Sequence, residues 1–290
     1  MAGRHRVICG DAGIVLPRLE EASVDMVLTS PPYFRQRPTV LDDEIGSEAT
    51  VEDYVSRLVP RLHAASRALK PQGTLWLNLG DTRRGGALCA VPQQVLSELM
   101  RFGWTFIAEI VWAKSNSRPE NLPHRFARAH EMIYVLGRQS EVQLDTDAIR
   151  TPHAPATVRK ELAYVTSFDH QRGFSRHRPS KTARFRFMHP GGAQPISVWE
   201  FPVASERTES PHFSMMPLRL AERCVIAGCP RGGTVLDPFS GSGTSGIAAL
   251  RNGRRFVGIE ILAHNVKISR AALDEAEWER FMAETSVEGI

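Results

Sequence analysis

Cysteine is scarce in this 290-residue chain: four residues, Cys9, Cys89, Cys224 and Cys229, with no CxxC pair among them. That excludes a disulfide scaffold and leaves no Cys/His set for a zinc site, so buried, reduced thiols are expected. Long apolar runs are missing as well; none approaches the roughly 18–20 residues that a membrane span needs. Residues 1–11 lack the apolar core of a secretory leader, so a cytoplasmic location is the expectation. Repeats and low-complexity tracts are absent, and no proline is followed by a cysteine; Cys229 precedes Pro230. Net charge is only +4, and hydrophobic and charged shares of 42% and 23% are ordinary for a globular protein.

The small charge excess is unevenly spread. Between Arg150 and Pro190 nine Lys or Arg stand against two acids, Glu161 and Asp169, a local net of +7 that leaves the remainder at −3. A basic block on a slightly acidic body suggests a polyanionic partner. Composition alone also allows a solvated basic loop.

Arg6–Cys9 reads as a short strand running into Gly10-Asp11, and Val24–Thr29 as a buried strand broken by Pro31-Pro32. Val55, Leu58, Val59, Leu62, Ala65 and Leu69 repeat with a helical period over Glu52–Leu69, and Pro71–Gly73 stops them. Further strands are expected at Thr74–Leu79, Thr105–Trp112, Met132–Leu136, Thr234–Asp237 and Phe256–Ile261. Helices are expected at Pro92–Phe102, Pro217–Ala227, Thr244–Arg251 and Ile268–Met282. Such alternation argues an α/β fold with a mostly parallel sheet. From Arg138 to about Gln194 the apolar periodicity fades, and it returns at Val198-Trp199-Glu200-Phe201. The middle reads as an insertion, giving segments 1–140, 141–195 and 196–290.

Val235-Leu236-Asp237 runs into Gly241-Ser242-Gly243-Thr244-Ser245-Gly246, a GxGxxG pattern on a strand–turn–helix. Glu260 lies 19 residues beyond Gly241, at the end of the next strand, where an acid can bind ribose hydroxyls. The glycines let backbone approach a ligand at a helix N-terminus. These features fit a dinucleotide or S-adenosylmethionine. Only 30 residues follow Glu260, too few for the rest of a dinucleotide-binding sheet, so the missing strands are expected from the N-terminal part.

Ser30-Pro31-Pro32-Tyr33 follows a strand and should sit at the carboxyl edge of the sheet, where open α/β folds bind ligands. The Ser30 hydroxyl and the Pro31 carbonyl can both accept hydrogen bonds from an amine, draw it toward tetrahedral geometry and aim its lone pair. That needs no covalent intermediate. The two prolines stiffen the loop and offer no N–H. Tyr33 offers a ring on which an extruded base can stack; a Pro-Pro turn with Tyr33 as packing is the competing reading.

Ser30–Tyr33 resembles the catalytic loop of DNA methyltransferases that modify an exocyclic amino group. Asp237-Pro238-Phe239-Ser240-Gly241-Ser242-Gly243-Thr244 resembles their DPFxGxGT cofactor loop, and catalytic loop before cofactor loop is the order of the permuted, β-class members. The resemblance covers most of residues 1–140 and 196–290. It implies a Rossmann-like, circularly permuted fold with a mostly parallel seven-stranded sheet and an inserted target-recognition region at 141–195. Ser at position 30 resembles the cytosine-N4 subgroup, whose loop is typically SPPY or SPPF; the adenine-N6 subgroup usually has DPPY or NPPY, although some members carry Ser. Methylation of a ring carbon needs a cysteine nucleophile, carried by that family in a Pro-Cys pair that is missing here.

The implied activity is methyl transfer from S-adenosylmethionine to cytosine N4 in flipped-out duplex DNA. Adenine N6 is the nearest alternative, followed by an RNA or protein amine and by a catalytically silent DNA-binding protein. By the resemblance Ser30, Pro31, Pro32 and Tyr33 are catalytic. Asp237, Gly241 and Gly243, in one loop with Phe239 and Thr244, border the methionine part of the cofactor, Glu260 holds the ribose, and Asp11 lies near the adenine or merely caps a turn. No metal is implied. Trp112–Asn116 and Arg128–Glu131 look like the segment lining the target-base pocket; Trp112 as core and Glu131 paired with an arginine are the competing readings. His212 precedes Phe213 where the family often has proline, which puts a cofactor role for His212 in doubt. Arg172, Arg176, Arg178, Lys181, Arg184 and Arg186 fall where the family places target recognition, where they can neutralise phosphates or read base edges. Phe174, Phe185 and Phe187 are expected to anchor that region. No nuclease motif is evident, so the expected partners are double-stranded DNA and no membrane, with a homodimer and a separately acting restriction endonuclease left open.

Overall fold

A computed structural model describes residues 3–36, 44–117, 124–171, 188–203 and 216–287. They belong to two compact units, one spanning Met1–Leu144 and Ser197–Ile290, the other Asp145–Ile196.

The strands of the larger unit are β1 (His5–Cys9), β2 (Val24–Thr29), β3 (Leu69–Leu79), β4 (Arg83–Arg84), β5 (Ala87–Leu88), β6 (Thr105–Lys114), β7 (His130–Gly137), β8 (Val198–Phe201), β9 (Thr234–Asp237) and β10 (Arg255–Glu260). β4 and β5 make a short hairpin, and the other eight form one sheet in the order β1-β10-β9-β2-β3-β7-β6-β8. Only β7 runs antiparallel to its neighbours. The sheet therefore has one strand more than the expected seven. The addition is the short apolar patch at β8, which pairs parallel to β6 at the edge.

The helices are α1 (Ala12–Val15), α2 (Val51–Ala68), α3 (Val91–Arg101), α4 (Pro155–Gln171), α5 (Leu218–Gly228), α6 (Thr244–Arg251) and α7 (Ala263–Val287). Thr50 caps α2 reciprocally: the Asp53 amide donates to Thr50 Oγ1 at 3.1 Å, and that hydroxyl donates to Asp53 Oδ2 at 2.7 Å. The buried stripe of α2, with Tyr54, Leu58, Leu62 and Ala65, joins Val95 and Leu99 of α3 in one core against Val27, Leu75, Leu77, Leu136 and Leu236 of the sheet. α5 packs on β2 and β3, α6 on β9 and β10, and α7 on β1 and β10. Gly228 permits that approach, since a Cβ there would sit 2.5 Å from Trp76 Nε1.

All six residues of β2 are buried, as a central parallel strand requires, even though one of them is Asp25. Lys70 Nζ at 2.6 Å and the Thr234 amide at 2.8 Å satisfy its carboxylate. The pairing shifts there from Val24–Leu69 to Met26–Thr74, so β3 starts before the expected Thr74. Two thiols depart from expectation: Cys224 and Cys229 are buried, but Cys9 is exposed at the end of an outer strand and Cys89 is half-buried.

In the smaller unit α4 occupies part of the stretch where periodicity fades, a helix that the pattern did not announce. The ends of this unit meet where Thr151 and Ala193 exchange backbone hydrogen bonds of 2.7 and 3.3 Å. No described helix is long and apolar enough to cross a membrane.

Candidate active site

Because β1, β10, β9, β2 and β3 are parallel, their carboxyl ends reach the same edge of the sheet. Register sets Cys9 beside Glu260 and Gly258 beside Asp237, with β2 next in line and Thr29 opposite Leu77 of β3. The antiparallel β7 brings its start to that edge too, since Leu79 pairs with Met132. One cleft runs along it, lined by Asp11, Ser30, Pro31, Pro32, Tyr33, Asp237, Phe239, Gly241, Thr244 and Glu260. Gly243 alone among the expected catalytic and cofactor residues does not line it.

On the glycine side, two carboxylates hold the loop itself. Asp237 accepts from Thr29 Oγ1 at 2.6 Å, from Ser245 Oγ at 2.5 Å and from the Phe239 amide at 3.0 Å. Burial pushes its pKa up to about 6; those hydrogen bonds oppose the rise, and the nearby Glu260 adds slightly to it. Glu260 accepts from the Gly241 amide and the Leu262 amide, both at 2.9 Å. Gly241 has φ +51 and open space where a Cβ would be, whereas Gly243 has φ +94 and a Cβ would lie 2.6 Å from Ser269 Oγ. The first glycine keeps the cleft open, and the second lets α6 start tight against α7. Asp11 caps α1 through the Gly13 amide at 2.7 Å and pairs with Arg61 at 3.3 Å, so its turn role is real while it also lines the cleft.

On the catalytic side, Ser30 Oγ donates to Tyr33 Oη at 3.0 Å. Tyr33 is only 6% exposed, with its hydroxyl held by Glu131 Oε2 at 2.7 Å and Asn78 Oδ1 at 3.1 Å. Burial, with the Glu131 charge second, raises its pKa well above the usual tyrosine value. The residue is thus almost wholly buried while still among those lining the cleft. Gly80 makes the room, because a Cβ there would approach Tyr33 Cε2 to 2.8 Å. Tyr54 Oη donates to the Pro32 carbonyl at 2.9 Å, and the Pro31 carbonyl takes no hydrogen bond among the described residues.

Several contributors escaped the sequence reading. Thr29 and Asn78 are polar residues ending or interrupting apolar runs, and that is the only local signal they give. Ile45 lines the cleft from outside any motif, while Met216, which also lines it, belongs to the His212–Leu218 tract that resembles the family's segment before the cofactor loop. Trp112 is core, with Nε1 donating to the Phe201 carbonyl at 2.9 Å. Glu131 pairs with Lys114 at 2.6 Å, and with no arginine among the described residues. His212 and the residues proposed for DNA contact, Arg172, Arg176, Arg178, Lys181, Arg184 and Arg186, lie outside the described residues, as do Phe174, Phe185 and Phe187.

The model of the N6/N4 methyltransferase family, described as DNA methylase, matches residues 24–271. The chain belongs to this family of DNA methylases. The type II methyltransferase M.SmaI of Serratia marcescens is 30% identical over 285 residues, 88% of this chain and 86% of its own length. M.Cfr9I of Citrobacter freundii is 29% identical over 289 residues, 90% and 84% of the two lengths. Among solved structures, the PvuII DNA methyltransferase, cytosine-N4-specific, shares the fold with a TM-score of 0.70 at 17% identity, over 93% of this chain and 86% of its own. A DNA modification methylase of Thermus thermophilus, TTHA0409, solved with S-adenosyl-L-methionine, reaches 0.61 at 25% identity over 94% of each chain.

This DNA methylase therefore uses S-adenosylmethionine, and the cleft suits it. A dinucleotide pyrophosphate needs free amides at the glycine turn, but the Gly241 amide is already given to Glu260. Carboxylates of Asp11, Asp237 and Glu260 border the space, which favours a cationic sulfonium over a phosphate. Ser240 Oγ, also in the lining, is buried without a partner among the described residues, a polar atom that a ligand can satisfy.

Proposed function

We propose that this methylase modifies the exocyclic N4 amine of cytosine in double-stranded DNA. The carrying observation is Ser30: it lines the cleft shared with the glycine loop, in a loop of the SPPY type. When bound, S-adenosylmethionine supplies the electrophilic methyl group. Ser30 Oγ and the Pro31 carbonyl accept hydrogen bonds from the amine and turn its lone pair toward that methyl, a matter of positioning and electrostatics. Pro31 and Pro32 present no competing N–H, and Tyr54 holds the loop through the Pro32 carbonyl. Glu260 takes the cofactor ribose and Asp11 the adenine end, while Asp237, Phe239, Gly241, Gly243 and Thr244 shape the methionine end. The base is reached by flipping it out of the duplex.

The order of the two loops supports a circularly permuted member of the family, with residues 141–195 as the target-recognition region. In that reading Arg172, Arg176, Arg178, Lys181, Arg184 and Arg186 neutralise phosphates. Removing any one that does so should lower the salt slope of DNA binding by about one. The relatives named type II methyltransferases support a protein that works beside a separate endonuclease. Adenine N6 is the second reading, because the family covers both amines and Ser is compatible with either.

Incubating the purified protein with unmethylated duplex DNA and labelled S-adenosylmethionine, followed by digestion and nucleoside mass spectrometry, tests the choice. N4-methylcytosine is the expected product. N6-methyladenine would keep the fold and the amine mechanism but overturn the reading of Ser30 as a cytosine mark.

A further inference from the structure

Beneath the catalytic loop the polar groups form one directed chain. We propose that Glu131, backed by Lys114 and acting through Tyr33, is a positioning residue that fixes the Ser30 hydroxyl as an acceptor for the target amine. The inference rests on the role given to Ser30 above.

A count of protons gives the direction. The Glu131 carboxylate, paired with Lys114 Nζ at 2.6 Å, has only acceptors to offer its other neighbours. Asn78 Nδ2 points at Glu131 Oε2 (3.1 Å) and at the Met132 carbonyl (3.2 Å), so the Asn78 oxygen is the atom that faces Tyr33. Tyr33 has one hydroxyl proton and two acceptors, the carboxylate at 2.7 Å and the amide oxygen at 3.1 Å. Whichever takes it, the Tyr33 oxygen meets Ser30 with lone pairs only. Ser30 must therefore spend its own proton on Tyr33, 3.0 Å away, and its remaining lone pairs are left to the cleft. A serine without this partner is free to turn its proton toward the amine and oppose the required hydrogen bond. Burial supports the scheme by keeping the Tyr33 phenol protonated.

The chain spans three elements. Lys114 ends β6, Glu131 is the second residue of β7 and Asn78 lies near the end of β3, and antiparallel pairing brings them together. SPPF loops have no hydroxyl in this place, so the device belongs to chains that combine the tyrosine with a matching amide and acid.

Single-turnover methyl transfer tests it, with cofactor affinity by calorimetry and thermal melting as controls. Tyr33→Phe should slow transfer about tenfold, the scale of one aligned hydrogen bond, while cofactor and DNA affinity stay near wild type. Glu131→Gln can donate to Tyr33 and reverse the chain; it should slow transfer alone but add nothing to Tyr33→Phe. Likewise Tyr33→Phe should cost nothing further in a Ser30→Ala background. A full rate for Tyr33→Phe, or losses that multiply in either double variant, would overturn the proposal. Should Glu131→Gln fail to fold, the Ser30/Tyr33 pair alone decides. Ser30→Ala at the wild-type rate would instead overturn the underlying reading of Ser30.

Discussion

The glycine loop and the catalytic loop leave neighbouring strands, yet different chemistry stiffens each. At Asp237–Thr244 buried carboxylates are spent inward: Asp237 on Thr29, Ser245 and the Phe239 amide, Glu260 on the Gly241 and Leu262 amides. At Ser30–Tyr33 two prolines stiffen the backbone, and the side-chain hydrogen bonds run outward from the buried Glu131, paired with a half-buried Lys114, to Ser30 at the cleft. In the proposed reading the first arrangement shapes a container out of backbone, and the second aims a single functional group. Substitutions on the glycine side should thus be felt in stability and cofactor affinity, and those on the catalytic side in rate.

Ser30→Ala is the sharpest break in that contrast. Methyl transfer should fall about 100-fold or more, as when one preorganised group is removed from an active site, while calorimetry finds cofactor affinity unchanged. A comparable loss of affinity would erase the distinction between the loops.

Asp237 comes next, through pH. An unfolded carboxyl titrates near 3.8, and the folded one at about 6. Between those values the folded state holds a proton that the unfolded chain releases. The contribution is therefore fully present below about pH 4 and is lost as pH rises through 6, on the order of 3 kcal/mol. Melts of Asp237→Asn across pH 4–7 should lack that decline relative to wild type. Identical profiles would show that the buried carboxylate is not the source.

The two glycines sharpen the comparison within one loop. Gly243→Ala meets both a left-handed φ and Ser269, and should cost about 2–3 kcal/mol in denaturant unfolding. Gly241→Ala meets open space, so only about 1 kcal/mol is expected, with the larger effect on cofactor affinity. Equal losses of stability would mean that the loop packs differently. Glu260→Gln should weaken cofactor binding about tenfold while transfer from the saturated complex is little altered.

Much of this was legible because the signals are local. The Val24–Thr29 run, the Pro-Pro break and the strand–GxGxxG–helix unit each announce a strand end, and parallel pairing sends all of them to one edge. The pair Gly241 and Gly243 looked alike in sequence because neither pattern nor spacing carries the position of Ser269 on α7. The segments carrying Lys114 and Glu131 were singled out, but their joining with Asn78 into one network was hidden for the same reason. Its members sit on three strands, and only the order β3-β7-β6 puts them together. The returning periodicity marked Val198–Phe201 but was too short to assign it as a strand, and α4 is too weakly patterned for periodicity to declare it.

In the proposed reading Ser30 directs methylation to cytosine N4. Genomic DNA from a host without N4-methylcytosine, expressing either the wild-type chain or Ser30→Ala, offers every target sequence at once. Nucleoside mass spectrometry should find N4-methylcytosine with the wild type and little or none with Ser30→Ala. A rise in N6-methyladenine instead, or equal N4-methylcytosine from both chains, would contradict it.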